Sequence, residues 1–145
     1  MNKALQSLYK EVILSRAKVP RHECKATDLV PTVEAYNPLC GDKFYLYVSI
    51  EDGVFKELKF SGFGCSISKA STDVMCDALS HKTIQEGLLI IDTFLELIDD
   101  KSSVSPEQLT DSKELLAFAA ARDFPERKTC ANLGWEALRL HLQSL

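Results

Sequence analysis

The alternation of apolar and polar residues changes its period along the chain, and these changes predict the order of the elements. In residues 2–16, Leu5, Leu8 and Val12 recur at the spacing of a helix with one apolar face. The pattern fails over residues 17–31, where Pro, Arg, His and Glu predict a loop. The chain therefore begins with an amphipathic helix and an irregular connection.

A β-hairpin follows this connection. Residues 43–51 alternate and are rich in aromatic and β-branched side chains, and residues 54–60 return with the same character. Asp52-Gly53 between them is a typical two-residue hairpin turn. Residues 32–36 add a candidate strand beside the hairpin, so the pattern predicts a small antiparallel sheet.

Helical spacing returns after Phe63. Residues 66–78 carry one apolar stripe, and Cys65 or Ser66 stands at the position of a helix cap. Thr83 to Glu86 form a capping box that opens a helix to about Asp99.

Two more helices complete the pattern. Asp111 to Glu114 repeat the capping box for a shorter helix that residues 123–127 end, and residues 131–142 form the last helix. Residues 100–110 are a polar connection. The order predicts an α+β fold, a small antiparallel β-sheet with helices packed on one side, in a single domain over residues 1–145.

Composition excludes several classes of protein. A chain of 145 residues that is 46% hydrophobic can bury a core without disulfides. A net charge of −4 without clustered basic residues argues against nucleic-acid binding, and no apolar run reaches the roughly 18 residues of a membrane span. Five cysteines, an odd number, and no pattern of a signal peptide predict a cytoplasmic protein with reduced thiols.

Three of the five cysteines lie where one element meets the next. Cys40 stands in the turn before the hairpin with Asp42 two residues on, Cys65 in a glycine-flanked corner, and Cys130 at the start of the last helix. Helix N-termini favour a thiolate at Cys65 and Cys130, and the cations of Arg127 and Lys128 adjoin Cys130. Three thiolates and a carboxylate suit zinc or an iron–sulfur unit.

The spacing of these residues leaves a second interpretation open. Cys40 and Cys65 are 25 positions apart and Cys65 and Cys130 are 65 apart, so all three could be buried apolar side chains instead. Cys76 lies inside a predicted helix as a packing residue. Cys24 lies in the first loop as a thiol without an assigned role.

Three motifs follow one another along the chain: Asn37-Pro38-Leu39-Cys40-Gly41-Asp42, Gly62-Phe63-Gly64-Cys65-Ser66-Ile67-Ser68 and Phe124-Pro125-Glu126-Arg127-Lys128-Thr129-Cys130-Ala131. Together they resemble the NifU N-terminal/IscU-like family of iron–sulfur cluster assembly proteins. The likeness covers nearly the whole chain and is closest to the SufU branch, which carries an insertion between the second and third motifs relative to IscU.

The resemblance implies a ligand set and a function. Cys40, Asp42, Cys65 and Cys130 would hold zinc at one end of the fold, and Cys40, supported by Arg127, would accept sulfur from a SufS-like cysteine desulfurase. The protein would be a zinc-dependent, sulfurtransferase-like sulfur acceptor rather than a conventional enzyme, serving downstream cluster-assembly or apo-acceptor proteins.

Two alternatives remain within this resemblance. An IscU-like scaffold would assemble a transient [2Fe–2S] cluster from iron on the same ligands, and an interaction module would hold zinc for structure only. IscU-type scaffolds place a histidine directly before the third cysteine, whereas this chain has Thr129, which favours the zinc-bearing sulfur acceptor. Lys69, an added charge after Cys65, has no role assigned from the sequence.

Overall fold

The computed structural model describes residues 3–25 and 30–145 of the chain. The helices are α1 (Lys3–Lys18), α2 (Ser66–Leu79), α3 (Ile84–Leu97), α4 (Pro106–Leu109), α5 (Lys113–Ala117) and α6 (Lys128–Gln143). The strands are β1 (Val33–Tyr36), β2 (Lys43–Glu51) and β3 (Val54–Phe63), and two 3₁₀ segments span Phe118–Asp123 and Pro125–Arg127. The predicted α+β class is confirmed. Asn2, predicted to begin the first helix, lies outside the described residues.

The three strands form one antiparallel sheet in the order β1-β2-β3. Asp52 and Gly53 adopt φ values of 54° and 73°, the left-handed conformation that a tight hairpin turn requires. The side chains of Phe44, Leu46 and Phe60 are buried in the core that the sheet forms with the helices. The strand β3 extends three residues beyond the predicted end at Phe60 and so leads directly to the corner that holds Cys65.

Local capping signals are confirmed at one helix and wrong at another. The Thr83–Glu86 capping box is present at α3, with both reciprocal hydrogen bonds formed. At α5, however, Ser112 rather than Asp111 is the cap, and its hydroxyl accepts from the amide of Leu115. The carboxylate of Glu114, expected to complete a box, instead accepts a hydrogen bond from Arg16 Nε at 2.8 Å.

The connections contain more structure than the pattern predicts. The polar connection of residues 100–110 holds the one-turn helix α4, and the short helix α5 ends at Ala117 rather than at Asp123. A 3₁₀ segment of buried alanines continues from Phe118. Within residues 3–25 and 30–145, no helix is long and apolar enough to cross a bilayer.

Stacked aromatic rings join the helices behind the site. The Phe94 and Trp135 rings stack with centroids 4.0 Å apart, Phe118 packs against Phe94, and Tyr9 of α1 meets Phe118 edge-on at 6.0 Å. The Trp135 indole donates to the hydroxyl of Ser71 in α2 at 2.9 Å. These contacts fix α1, α2 and α6 relative to one another, and the starts of α2 and α6 hold two of the predicted ligands, Cys65 and Cys130.

A buried ionic cluster fixes the other end of α1. Arg16, only 3% exposed, donates to Asp73 Oδ2 at 2.7 Å, and the same nitrogen lies 2.6 Å from Asp77 Oδ2. His22 adds a ring contact to Asp77 at 2.7 Å, and its amide donates to Asp73. With Glu114, three carboxylates from α2 and α5 therefore surround one guanidinium.

Candidate metal centre

The first ligand motif is a closed turn that exposes one of its two ligands and buries the other. The Asn37 side chain accepts from the amide of Leu39 at 3.0 Å, and the Gly41 amide donates to the carbonyl of Asn37 at 2.8 Å. Gly41 has a φ of +77°, a conformation that glycine adopts without strain. The turn leaves Cys40 exposed at its tip and buries the carboxylate of Asp42.

The second motif places Cys65 at the start of α2. As the sequence allowed, Cys65 is the N-cap, and its sulfur accepts from the amide of Ser68 at 3.5 Å. A side chain at Gly64 would lie 2.7 Å from the Phe44 ring and 3.1 Å from Asp42 Cγ. Only glycine fits between the strand and the buried carboxylate, so this corner holds Cys65 close to Asp42.

The third motif places Cys130 in the first turn of α6, half-buried. The surroundings of its sulfur oppose the thiolate that the start of a helix favours. Burial, together with the charge and hydrogen bond of Cys65 and the nearby Cys40 and Asp42, raises the pKa of Cys130 to about 12. Lys128 does not offset this, because its ammonium binds Asp99 and Asp100.

The three motifs meet at one point. The sulfurs of Cys40 and Cys130 and a carboxylate oxygen of Asp42 all lie within 4.8 Å of one another. Cys65 adjoins this group of three: its side chain interacts electrostatically with Cys130, and its amide donates to Asp42 Oδ1 at 3.3 Å. The structure therefore brings all four predicted ligands together, with three in a compact group and Cys65 beside it.

Ser68 is a site residue that sequence reasoning missed. Its hydroxyl lies 2.7 Å from Asp42 Oδ2, as donor to that oxygen, and 3.1 Å from the carbonyl of Cys130, and the residue is fully buried. The signal was its position three residues after the cap Cys65, where a helix places a side chain that can turn back toward its own cap. Ser68 joins the second motif to both of the others.

Arg127, expected to support the site, lies beside the ligand Cys65. It lines a cleft with Tyr9 and Cys65, and its positive charge acts on the Tyr9 hydroxyl. Lys69 forms an ion pair with Glu23 of the first loop at 3.2 Å, which accounts for the charge that the sequence left unassigned.

The two remaining cysteines lie outside the group. Cys76 is buried in α2 as a packing residue, as predicted, and burial raises the pKa of its thiol well above the usual value. Cys24 is half-buried, and its amide donates to the carbonyl of Phe60 at the edge of β3. Burial also raises the pKa of Cys24.

The donor set fits a thiophilic metal ion. Sulfur ligands around zinc lie about 3.8 Å apart, since each Zn–S bond is about 2.3 Å long, so the 4.8 Å group needs only a small contraction. Burial raises the pKa of Cys130, and the clustered sulfurs and carboxylate, which repel one another when ionised, raise it further. A cation reverses that effect, because a coordinating thiol is deprotonated by the metal.

Replacing Ser68 by alanine is expected to weaken zinc binding by about 10–100-fold, the usual cost of losing a group that orients a metal ligand. The variant frees Asp42 Oδ2 from its 2.7 Å hydrogen bond while leaving every ligand in place. Zinc affinity would be measured by competition with a chromophoric chelator. Thr72→Ser is the control, because it keeps the hydroxyl bonded to the Ser68 carbonyl one turn further on. Equal affinities for Ser68→Ala and wild type would contradict the assignment.

Known proteins resemble this chain over most of its length. The sequence model of the NifU-like N terminal domain matches residues 8–142. The chain is 36% identical over 135 residues to a Streptococcus pyogenes protein named iron-sulfur cluster assembly scaffold protein IscU, covering 93% of this chain and 82% of that protein. It is 33% identical over 137 residues to the zinc-dependent sulfurtransferase SufU of Bacillus subtilis, covering 94% of this chain and 90% of SufU.

A solved structure shares the fold. It is the crystal structure of a putative iron-sulfur cluster assembly scaffold protein for the SUF system from Fervidobacterium islandicum AW-1, with a TM-score of 0.77 and 29% identity over 94% of this chain and 98% of that one. The sequence model spans all three ligand motifs, and the relatives are matched over most of their length. The chain belongs to the family of the NifU-like N-terminal domain.

Proposed function

We propose that this protein is an iron–sulfur cluster assembly protein of the SufU type, which accepts sulfur from a cysteine desulfurase at a site formed by Cys40, Asp42, Cys65 and Cys130. The observation that carries the proposal is that Cys40 and Asp42 of one turn lie within 4.8 Å of Cys130, which comes from a distant part of the chain. Relatives named for cluster assembly and for zinc-dependent sulfur transfer support it.

The exposure of Cys40 suits it to be the sulfur acceptor. Among the five cysteines, Cys40 alone is exposed, at the tip of a closed turn. Its thiolate would attack the outer sulfur of a persulfide on the desulfurase, so that a new S–S bond forms on Cys40 and the desulfurase thiolate leaves. The exchange is redox-neutral and needs no further reactant.

The remaining ligands prepare the site for a metal ion. Bound zinc would supply the positive charge that keeps the clustered sulfurs as thiolates. Asp42 receives hydrogen bonds from Ser68 and from the Cys65 amide, which hold its carboxylate ready as a ligand. A carboxylate exchanges more readily than a thiolate, so the site can open for transfer.

The surroundings of the ligands suit protein partners. Leu39, next to Cys40, is 91% exposed, and Phe63 and Phe124 are exposed within a few residues of the other ligands. Exposed apolar side chains around a reactive group are typical of a docking surface. A cysteine desulfurase and the proteins that receive sulfur or clusters would dock here, in the reducing cytoplasm where thiols persist.

The test is a desulfurase assay with the intact protein. Cysteine and a SufS-type desulfurase would be incubated with and without the protein, and alanine formation and persulfide on the protein would be measured. We expect faster alanine formation and a persulfide on the chain. No acceleration and no persulfide would contradict the proposal.

A scaffold function is the second candidate, favoured by the relative named IscU. Anaerobic reconstitution with iron and sulfide separates the two, because a scaffold would form a chromophore that passes to an apo-protein. Zinc that iron cannot displace would favour the sulfur acceptor. A structural zinc site is the weaker alternative, since such sites are usually closed sets of four Cys and His ligands.

A further inference from the structure

A cleft opens beside Cys65, between α1 and the Pro125–Arg127 turn. Its volume is about 700 Å³, and its apolar walls include Ile67 and Phe124. Arg127 and Tyr9 line it together with Cys65, whereas Cys40 does not. One of the four ligands therefore faces a space that the exposed acceptor thiol does not share.

The hydroxyl of Tyr9 is buried without a hydrogen-bond partner among the described residues. The Tyr9 ring is held edge-on against Phe118, a contact that phenylalanine would make equally well. Burying an unpaired hydroxyl costs free energy, and such groups in native proteins call for an explanation. The hydroxyl is therefore suited to a partner that arrives later.

The charges around this hydroxyl indicate what the partner is. Tyr9 interacts electrostatically with Arg127, Cys65 and Cys130. Burial is the largest effect and raises the pKa of Tyr9 to about 12, so the hydroxyl remains a donor at neutral pH. A hydroxyl donor and a guanidinium beside a cysteine suit a negatively charged sulfur atom.

We propose that Tyr9 is a positioning residue for sulfur carried on Cys65, its hydroxyl donating a hydrogen bond to the terminal sulfur of a Cys65 persulfide inside this cleft. This inference rests on the proposed sulfur-acceptor function and adds a second cysteine that carries persulfide sulfur. An S–S bond of about 2.05 Å carries the terminal sulfur beyond Cys65 Sγ. Ile67 and Phe124 give that sulfur apolar surroundings on one side, and Arg127 balances its charge.

The persulfide forms by thiol exchange. The Cys65 thiolate attacks the outer sulfur of the persulfide on Cys40. The new S–S bond forms on Cys65 while the donor S–S bond breaks, and the donor cysteine leaves as a thiolate. No oxidant or reductant is consumed.

Tyr9→Phe tests the inference because it removes only the hydroxyl. The protein would be loaded with inorganic polysulfide, freed of excess reagent and alkylated at intervals, and the persulfide on each cysteine would be counted by peptide mass spectrometry. We expect the Cys65 persulfide to decay about tenfold faster in Tyr9→Phe, the factor for losing one hydrogen bond to a charged group. The Cys40 persulfide should decay at the same rate in both proteins.

Tyr47→Phe is the matched control. Its hydroxyl is bonded to Ser61 at 2.9 Å within the sheet, so its loss should leave the Cys65 persulfide unchanged. Thermal unfolding checks that both variants fold, and Tyr9→Phe should melt no lower than wild type, since no bond is lost.

Three results would overturn the inference. Equal Cys65 decay in Tyr9→Phe and wild type would remove the role of Tyr9. Sulfur found on Cys40 alone would show that Cys65 carries no persulfide, while the proposed function stands. Sulfur on none of the ligand cysteines would overturn the inference and count against the proposed function as well.

Discussion

Replacing Cys40 by alanine should abolish the stimulation of a cysteine desulfurase, so that alanine formation falls to the rate of the desulfurase alone. The expected loss is complete because Cys40 is the exposed thiol of the ligand group, while Cys65 and Cys130 are half-buried. A thiolate that cannot reach the desulfurase persulfide cannot attack it, whatever its pKa. The measurement is the rate of alanine formation at saturating cysteine.

Cys24→Ala is the matched control for this variant. Cys24 is half-buried and belongs to the loop beside β3, outside the metal-ligand group. Its loss removes one thiol from the chain without touching the site, so stimulation should stay at the wild-type level. Full stimulation by Cys40→Ala would contradict the proposed acceptor, and a loss in Cys24→Ala would show that the assay reports a general effect of thiols.

Local signals carried most of the prediction of the fold. The Asp52-Gly53 turn and the Thr83 capping box act within a few residues, so their sequence is sufficient to identify them. The box expected at Asp111 failed because its Glu114 is bound to Arg16, 98 positions away. A local rule was overridden there by a tertiary contact that no window of sequence contains.

The site, like the fold, could be predicted only where the signal is local. Each motif could be read at an element boundary, but spacings of 25 and 65 positions say nothing of convergence, which only the family resemblance implied. Ser68 contacts Asp42, and Tyr9 lines the cleft beside Cys65. Both positions depend on how α1, α2 and α6 pack. Their roles therefore appear only in the folded structure.

Replacing Arg16 by methionine should lower the free energy of unfolding by about 3–5 kcal/mol, the usual cost of leaving a buried charge without its partner. Asp73, whose side chain is fully buried, would keep only the amide of His22 as a described donor. Asp77 and Glu114 would also lose their guanidinium contacts, and with them α1 would lose the ion pairs that link it to α2 and α5. Urea denaturation followed by circular dichroism measures the change.

Arg139→Met is the control, because Arg139 pairs with Asp92 at 3.1 Å on the surface, and such exposed pairs contribute about 0–1 kcal/mol.

The pH dependence of the free energy of unfolding gives a second readout. Burial opposes ionisation of Asp77, but hydrogen bonds from His22 and Arg16 outweigh it and hold its pKa below the usual 3.8. The stability that this lowered pKa provides is complete above about pH 5 and is lost as the pH falls through 3.8 toward the folded-state value. Arg16→Met raises the pKa of Asp77 toward its unfolded value, so stability should fall less steeply with acid than in wild type. An unchanged acid slope, or a loss no larger than that of Arg139→Met, would mean that the buried cluster does not hold α1 in place.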